Sequence, residues 1–132
     1  MEILVDFPGG ERVDAHFGGL TVKTNQDGTD PSPFALFLSS IGTCAGIFVL
    51  GFCKQRGLPT EGLQIVERVH QNSLTHMTDK IDLEIQIPEN FPPQYYDALV
   101  KTANLCTVKK TLENPPKFNT YTKVVNTSGN KD

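Results

Sequence analysis

Three cysteines, Cys44, Cys53 and Cys106, are the side chains of this 132-residue sequence best suited to covalent chemistry. A cysteine acts as nucleophile or redox group only as its thiolate, and apolar burial raises its pKa. Cys44 has no charged residue within nine positions on either side, so its own segment supplies no activating cation. Cys53 follows nine residues later. On a helix the two face opposite sides, about 13.5 Å apart along the axis. A disulfide needs Cα atoms within about 7 Å, so this pair cannot bridge. Cys106 is distant in sequence and reaches Cys44 or Cys53 only through the fold. Lys109, Lys110 and a helix start beside Cys106 both favour its thiolate, whereas Cys53 reads as plain core.

Other chemistries have little support. His16, His70 and His76 are scattered without ligand spacing, so no metal is expected, and no cofactor motif is present. There is no CxxC, hence neither a zinc pattern nor a disulfide framework. No glycine-rich phosphate loop precedes a helix. A net charge of −3 without a basic stripe gives no reason to expect nucleic acid. Met1 to Gly10 carries Glu2 and Asp6 and no signal-peptide pattern, so a cytoplasmic, thiol-reducing location is expected. The glycosylation sequon at Asn126 is then read as coincidental. Phe34 to Cys53 is a charge-free run of membrane-spanning length. Its Ser39, Ser40, Gly42, Thr43, Gly46 and Gly51 favour a buried helix, and no membrane partner is expected.

The elements that must position the cysteines follow from patterning. Residues 1–7 read as a strand, ended by Pro8-Gly9-Gly10, and 12–25 as a strand pair broken at Gly18-Gly19. Ser32 as cap and Pro33 at the first helical position start a helix that ends near Arg56, before Gly57 and Pro59. It is about 36 Å long and apolar all round. Residues 63–71 and 80–87 read as a hairpin, the second strand alternating Ile81, Leu83, Ile85 and Ile87 against Asp82, Glu84 and Gln86. A helix over about 93–105 follows, then a short one capped by Thr107 and ended near Asn114 by Pro115-Pro116. A last strand over 117–125 closes a single domain, residues 1–126, leaving 127–132 as a flexible tail. This is an α+β order. Roughly a hundred other residues can hardly cover such a helix, so a second copy of the chain is the simplest cover and an intertwined homodimer is expected.

The run from Pro31 through Pro33, Ser39, Ser40 and Gly42 to Cys44 resembles the first signature of the OsmC/Ohr family. Ala103-Asn-Leu-Cys106-Thr-Val-Lys-Lys-Thr-Leu112 is similar to its second, and Lys54 to Leu63 matches the intervening helix end. The resemblance covers essentially the whole chain. It implies antiparallel sheets wrapped around a long buried central helix, in a homodimer whose two thiol sites use both subunits. It also implies reduction of organic hydroperoxides, with Cys44 attacking, Cys106 resolving to a disulfide and a dithiol reductant reopening it. Arg12 is the one arginine in the N-terminal strands able to serve as the family's activating cation. The glutamate those peroxidases carry early in the long helix is replaced here by Phe34 or Ala35. That departure keeps two other readings open. One is a non-enzymatic protein holding an apolar or thioester ligand in a dimer cleft lined by Phe34, Phe37 and Phe48. The other is a slow thiol redox sensor.

Overall fold

A computed structural model describes residues 1–126, so the expected tail at 127–132 lies outside the described residues. Strands β1 (Leu4–Gly9), β2 (Arg12–Phe17) and β3 (Leu20–Thr24) form one antiparallel sheet in that order. Phe17 pairs with Leu20 across a two-residue turn whose Gly18 and Gly19 both have positive φ, 54° and 77°. Such a turn matches the natural strand twist and is open to glycine with little strain. β4 (Gln64–Gln71) and β5 (Thr78–Gln86) form a separate hairpin.

Between the sheets in sequence runs α1 (Pro33–Gln55), started as the sequence predicts: the Ser32 hydroxyl accepts the Ala35 N–H at 3.2 Å. Such a cap stabilises by about 1 kcal/mol. Gly57, at φ 64°, takes the left-handed turn beyond the helix. A single 3₁₀ turn, Pro93–Tyr95, leads into α2 (Tyr96–Ala103), and α3 (Thr107–Glu113) follows. The helix expected over about 93–105 is thus present, ending two residues earlier at Ala103 with Asn104 as its cap.

The core is formed where α1 meets α2 and the loop after β5. Ala45, Val49 and Cys53 of α1 pack with Phe91, Leu99 and Ala103, and Leu83 and Ile85 of β5 lean against this cluster. The α1 residues buried within the chain, Ile41, Ala45, Val49 and Cys53, repeat every four positions and form one stripe. The remaining apolar circumference of α1 is only partly covered, although the residue pattern demands cover all round. β1, β2 and β3 pack chiefly on one another.

Two expectations are corrected. Residues 117–125 form no strand: the described segment has no regular structure, and Phe118, Tyr121 and Val124 stand exposed. Strand-favouring residues still require a sheet neighbour, and neither sheet of this chain pairs with the segment. The cap of α3 is Cys106, not Thr107, because the Cys106 sulfur accepts the Lys109 N–H at 3.2 Å.

Candidate active site

Cys44 sits mid-way along α1, half-buried, on the flank that faces the start of α3. Its sulfur lies near the backbone of Val108 and Thr107 and the side chain of Cys106. Folding thus selects Cys106, and not Cys53, as the neighbour of Cys44. Cys53 lies fully buried in the core cluster on another side of the helix, and all three thiols are free.

The two neighbouring thiols differ in character. The Val108 N–H, helped by the Cys106 side chain and the Thr107 N–H, holds the Cys44 pKa below the ordinary cysteine value, against some burial. Burial pushes Cys106 up, with the Lys109 N–H opposing and the nearby Cys44 sulfur adding to the rise. Hydrogen bonds to the charged form favour it, and a proton shared by two sulfurs must rest on one of them. Of the two, Cys44 is therefore the thiol that gives up its proton more readily and Cys106 the one that keeps it. The backbone thereby supplies what the charge-free helix could not. Cys53 is also pushed up by burial, as befits an inert core thiol.

Arg12 is placed among acids. It donates to Asp14 at 2.5 Å, and Asp14, Asp30 and Asp6 all hold its pKa up. Asp14 is itself buried and takes this contact through one oxygen. Within one chain, then, the guanidinium is engaged by β2 and its surroundings. Phe34 and Phe37 stack on each other, ring centroids 5.6 Å apart, and lie exposed at the start of α1. Phe48 instead lines a shallow cavity with Ile47, Phe52 and Leu105, so the three phenylalanines do not share one cleft within the chain.

Cation ligands are sparse. Although the histidines lack ligand spacing in sequence, the β1–β2 register brings Asp6, Asp14 and His16 to one sheet face, with one ligand atom of each within 4.8 Å of the others. Arg12 already balances Asp14, while His16 meets Asp6 at 3.2 Å and Thr21 at 3.0 Å. The contacts of this group are thus made within the sheet, although Asp14 Oδ1 and Arg12 Nε are buried without a hydrogen-bond partner. One carboxylate has no place in the cysteine motifs: Glu67 of β4. Its signal in the sequence is a break in pattern, since Leu63, Ile65 and Val69 share its strand face and all are apolar.

The fold has known counterparts. The sequence profile described as OsmC-like protein matches residues 26–121. Among curated protein sequences none matches significantly. A solved structure from Psychrobacter arcticus has 16% identity over 83% of this chain and 85% of its own, with a TM-score of 0.69. An OsmC-like protein from Mycoplasma pneumoniae has 11% identity over 86% and 87%, also with a TM-score of 0.69. An OsmC-like hydroperoxide resistance protein from a Jannaschia species has 18% identity over 88% and 87%, with a TM-score of 0.53. The helix that by length and composition alone could cross a membrane is therefore the long helix of a known fold. With the profile spanning most of the sequence and both sheets and the long helix in place, this chain belongs to the OsmC-like family.

Proposed function

We propose that this protein is a thiol-dependent reductant of organic hydroperoxides that works as a homodimer. The observation that carries the reading is the contact of Cys44 with Cys106 at two backbone N–H groups that favour the Cys44 thiolate. In the first step that thiolate attacks the peroxide O–O bond. Cys44 becomes a sulfenic acid, and the alkoxide leaves and is protonated to the alcohol. In the second, the Cys106 sulfur attacks the sulfenic sulfur, water leaves and a Cys44–Cys106 disulfide forms. A dithiol reductant reopens it at the expense of its own oxidation, chemistry that suits a cytoplasmic, thiol-reducing compartment. The name of the Jannaschia relative, a hydroperoxide resistance protein, agrees with this theme.

Under this reading one equivalent of cumene hydroperoxide oxidises the reduced protein. Peptide mass spectrometry then recovers the Cys44 and Cys106 peptides joined, lighter by two hydrogens, while Cys53 remains alkylatable. Recovery of both peptides as free thiols after peroxide treatment refutes it.

The dimer rests on surface chemistry. α1 leaves much of its apolar surface uncovered, and Phe34, Ile47, Phe118, Tyr121 and Val124 stand exposed. Exposed large apolar side chains in such number are the mark of an interface. A second copy offers its own β1–β3 sheet, whose Val5, Phe7 and Leu20 are equally open. In such a dimer Arg12 can approach the Cys44 of the other copy, which is the role given to it here. Sedimentation equilibrium at micromolar concentration is expected to return twice the 14.5 kDa chain mass. A single-chain mass overturns the dimer.

A further inference from the structure

We propose that α3 is a redox-controlled lid: it stays closed over Cys106 while the thiols are reduced, and the Cys44–Cys106 disulfide uncaps it and opens that sulfur to the reductant. The inference rests on the disulfide of the proposed function and adds how that disulfide is reached.

The first turn of α3 is capped by sulfur. Cys106 is the N-cap, with non-helical φ −59° and ψ 141°, and its Sγ accepts the Lys109 N–H at 3.2 Å. No acidic residue lies in that turn, and Lys109 and Lys110 place positive charge near the end of the dipole that repels it. No residue of α3 is buried, and seven residues are too few for a helix to persist on propensity alone. The cap therefore carries much of what keeps α3 folded. Cys106 itself is 1% exposed, so its sulfur is out of reach of an attacking thiolate while α3 is closed.

The capping sulfur is also the one that resolves the sulfenic acid. Across the whole reaction two S–H bonds give one S–S bond, and the two hydrogens and two electrons leave with the hydroperoxide as alcohol and water. A disulfide holds its sulfurs about 2.05 Å apart, closer than two sulfurs in non-bonded contact. Cys44 stands next to Ala45, which is locked in the core, so the movement falls on Cys106 and takes its sulfur from the Lys109 N–H. The bonded sulfur is neutral and a weak acceptor. The Cys44 thiolate, which lay near the Val108 and Thr107 backbone, is lost in the same step. α3 thus loses its cap and its favourable charge together. Thiol–disulfide exchange needs access to a sulfur, and an opened α3 supplies it.

The test is amide hydrogen exchange of the full-length protein, reduced and after oxidation by cumene hydroperoxide or by diamide, which makes disulfides without a peroxide and is itself reduced to the hydrazine. In the disulfide form the amides of residues 109–113 are expected to exchange at least about fivefold faster, the effect of losing one cap. Those of residues 45–53 in α1 are expected to stay unchanged. Cys106→Ser keeps a capping oxygen and cannot form the bridge, so its α3 is expected not to respond to diamide. Lys109→Gln places at the third helical position a side chain that reaches back to the Cys106 N–H. Its disulfide is expected to be reduced by dithiothreitol at least about threefold more slowly than that of wild type. A disulfide that leaves α3 exchange unchanged or slower overturns the lid while the peroxide reading stands. So does loosening that persists in Cys106→Ser, or reduction of the Lys109→Gln disulfide at the wild-type rate. A disulfide made by diamide but not by the hydroperoxide, with α3 loosened, keeps the lid and removes the peroxide reading. No disulfide with either oxidant overturns both.

Discussion

Cys44→Ser lowers the rate of cumene hydroperoxide reduction by on the order of a thousandfold or more, because a hydroxyl at that position has no accessible anion to attack the O–O bond. Cys106→Ser has a different signature. Its Cys44 is still oxidised once, so a stoichiometric burst of alcohol appears, followed by arrest as the sulfenic acid accumulates without a resolving thiol. The pH dependence follows from the thiolate. The Val108 and Thr107 N–H groups hold the Cys44 pKa below the ordinary cysteine value. The burst rate therefore rises with pH as Cys44 deprotonates, reaches its plateau at lower pH than free cysteine, and falls away below that midpoint. Stopped-flow oxidation of wild type, Cys44→Ser and Cys106→Ser measures all three outcomes. A Cys44→Ser protein that still turns over hydroperoxide at the wild-type rate removes Cys44 from the chemistry.

Phe91→Ala is expected to cost about 3–5 kcal/mol of stability. Phe91 is 1% exposed and is the largest fully buried side chain among the described residues. It joins α1 to α2 by filling the space between Ala45, Val49, Leu99 and Ala103, where neighbouring residues are too small or too fixed to collapse into the void. For a domain of this size the loss corresponds to a drop in Tm of about 10 °C or more. Thermal unfolding of the reduced protein reads it directly. The Cys44 oxidation rate of the remaining folded protein is expected to stay near wild type, since Phe91 is not among the groups that touch the thiol. A Tm within about 2 °C of wild type would show that the loop carrying Phe91 is not part of the core.

Much of the frame is legible in the residues because the signals are local. Ser32-Pro33 and Gly57 bracket α1 within a residue of its observed ends, since caps act on the amides of a single turn. The alternation of Ile81, Leu83 and Ile85 gives β5, and Gly18-Gly19 gives the β2–β3 turn, for equally short-range reasons. The segment 117–125 shows the limit. Its Phe, Tyr, Thr and Val content favours a strand, but a strand exists only where a neighbour meets its N–H and C=O groups, and that neighbour is not written into the nine residues. Glu67 shows a second limit: the pattern marks it as out of place, yet only the approach of Gly42 explains how it fits.

The sequence by itself determined the long charge-free helix, the α+β order, the family signatures and the impossibility of a Cys44–Cys53 bridge, because helix periodicity and turn chemistry act over a few residues. The tertiary structure alone decided which thiol Cys44 meets, that backbone N–H groups of α3 favour its thiolate, and that Arg12 is held by Asp14 within its own chain. Each of those depends on contacts between segments far apart along the chain, whose distances are set by packing and not by spacing in the sequence.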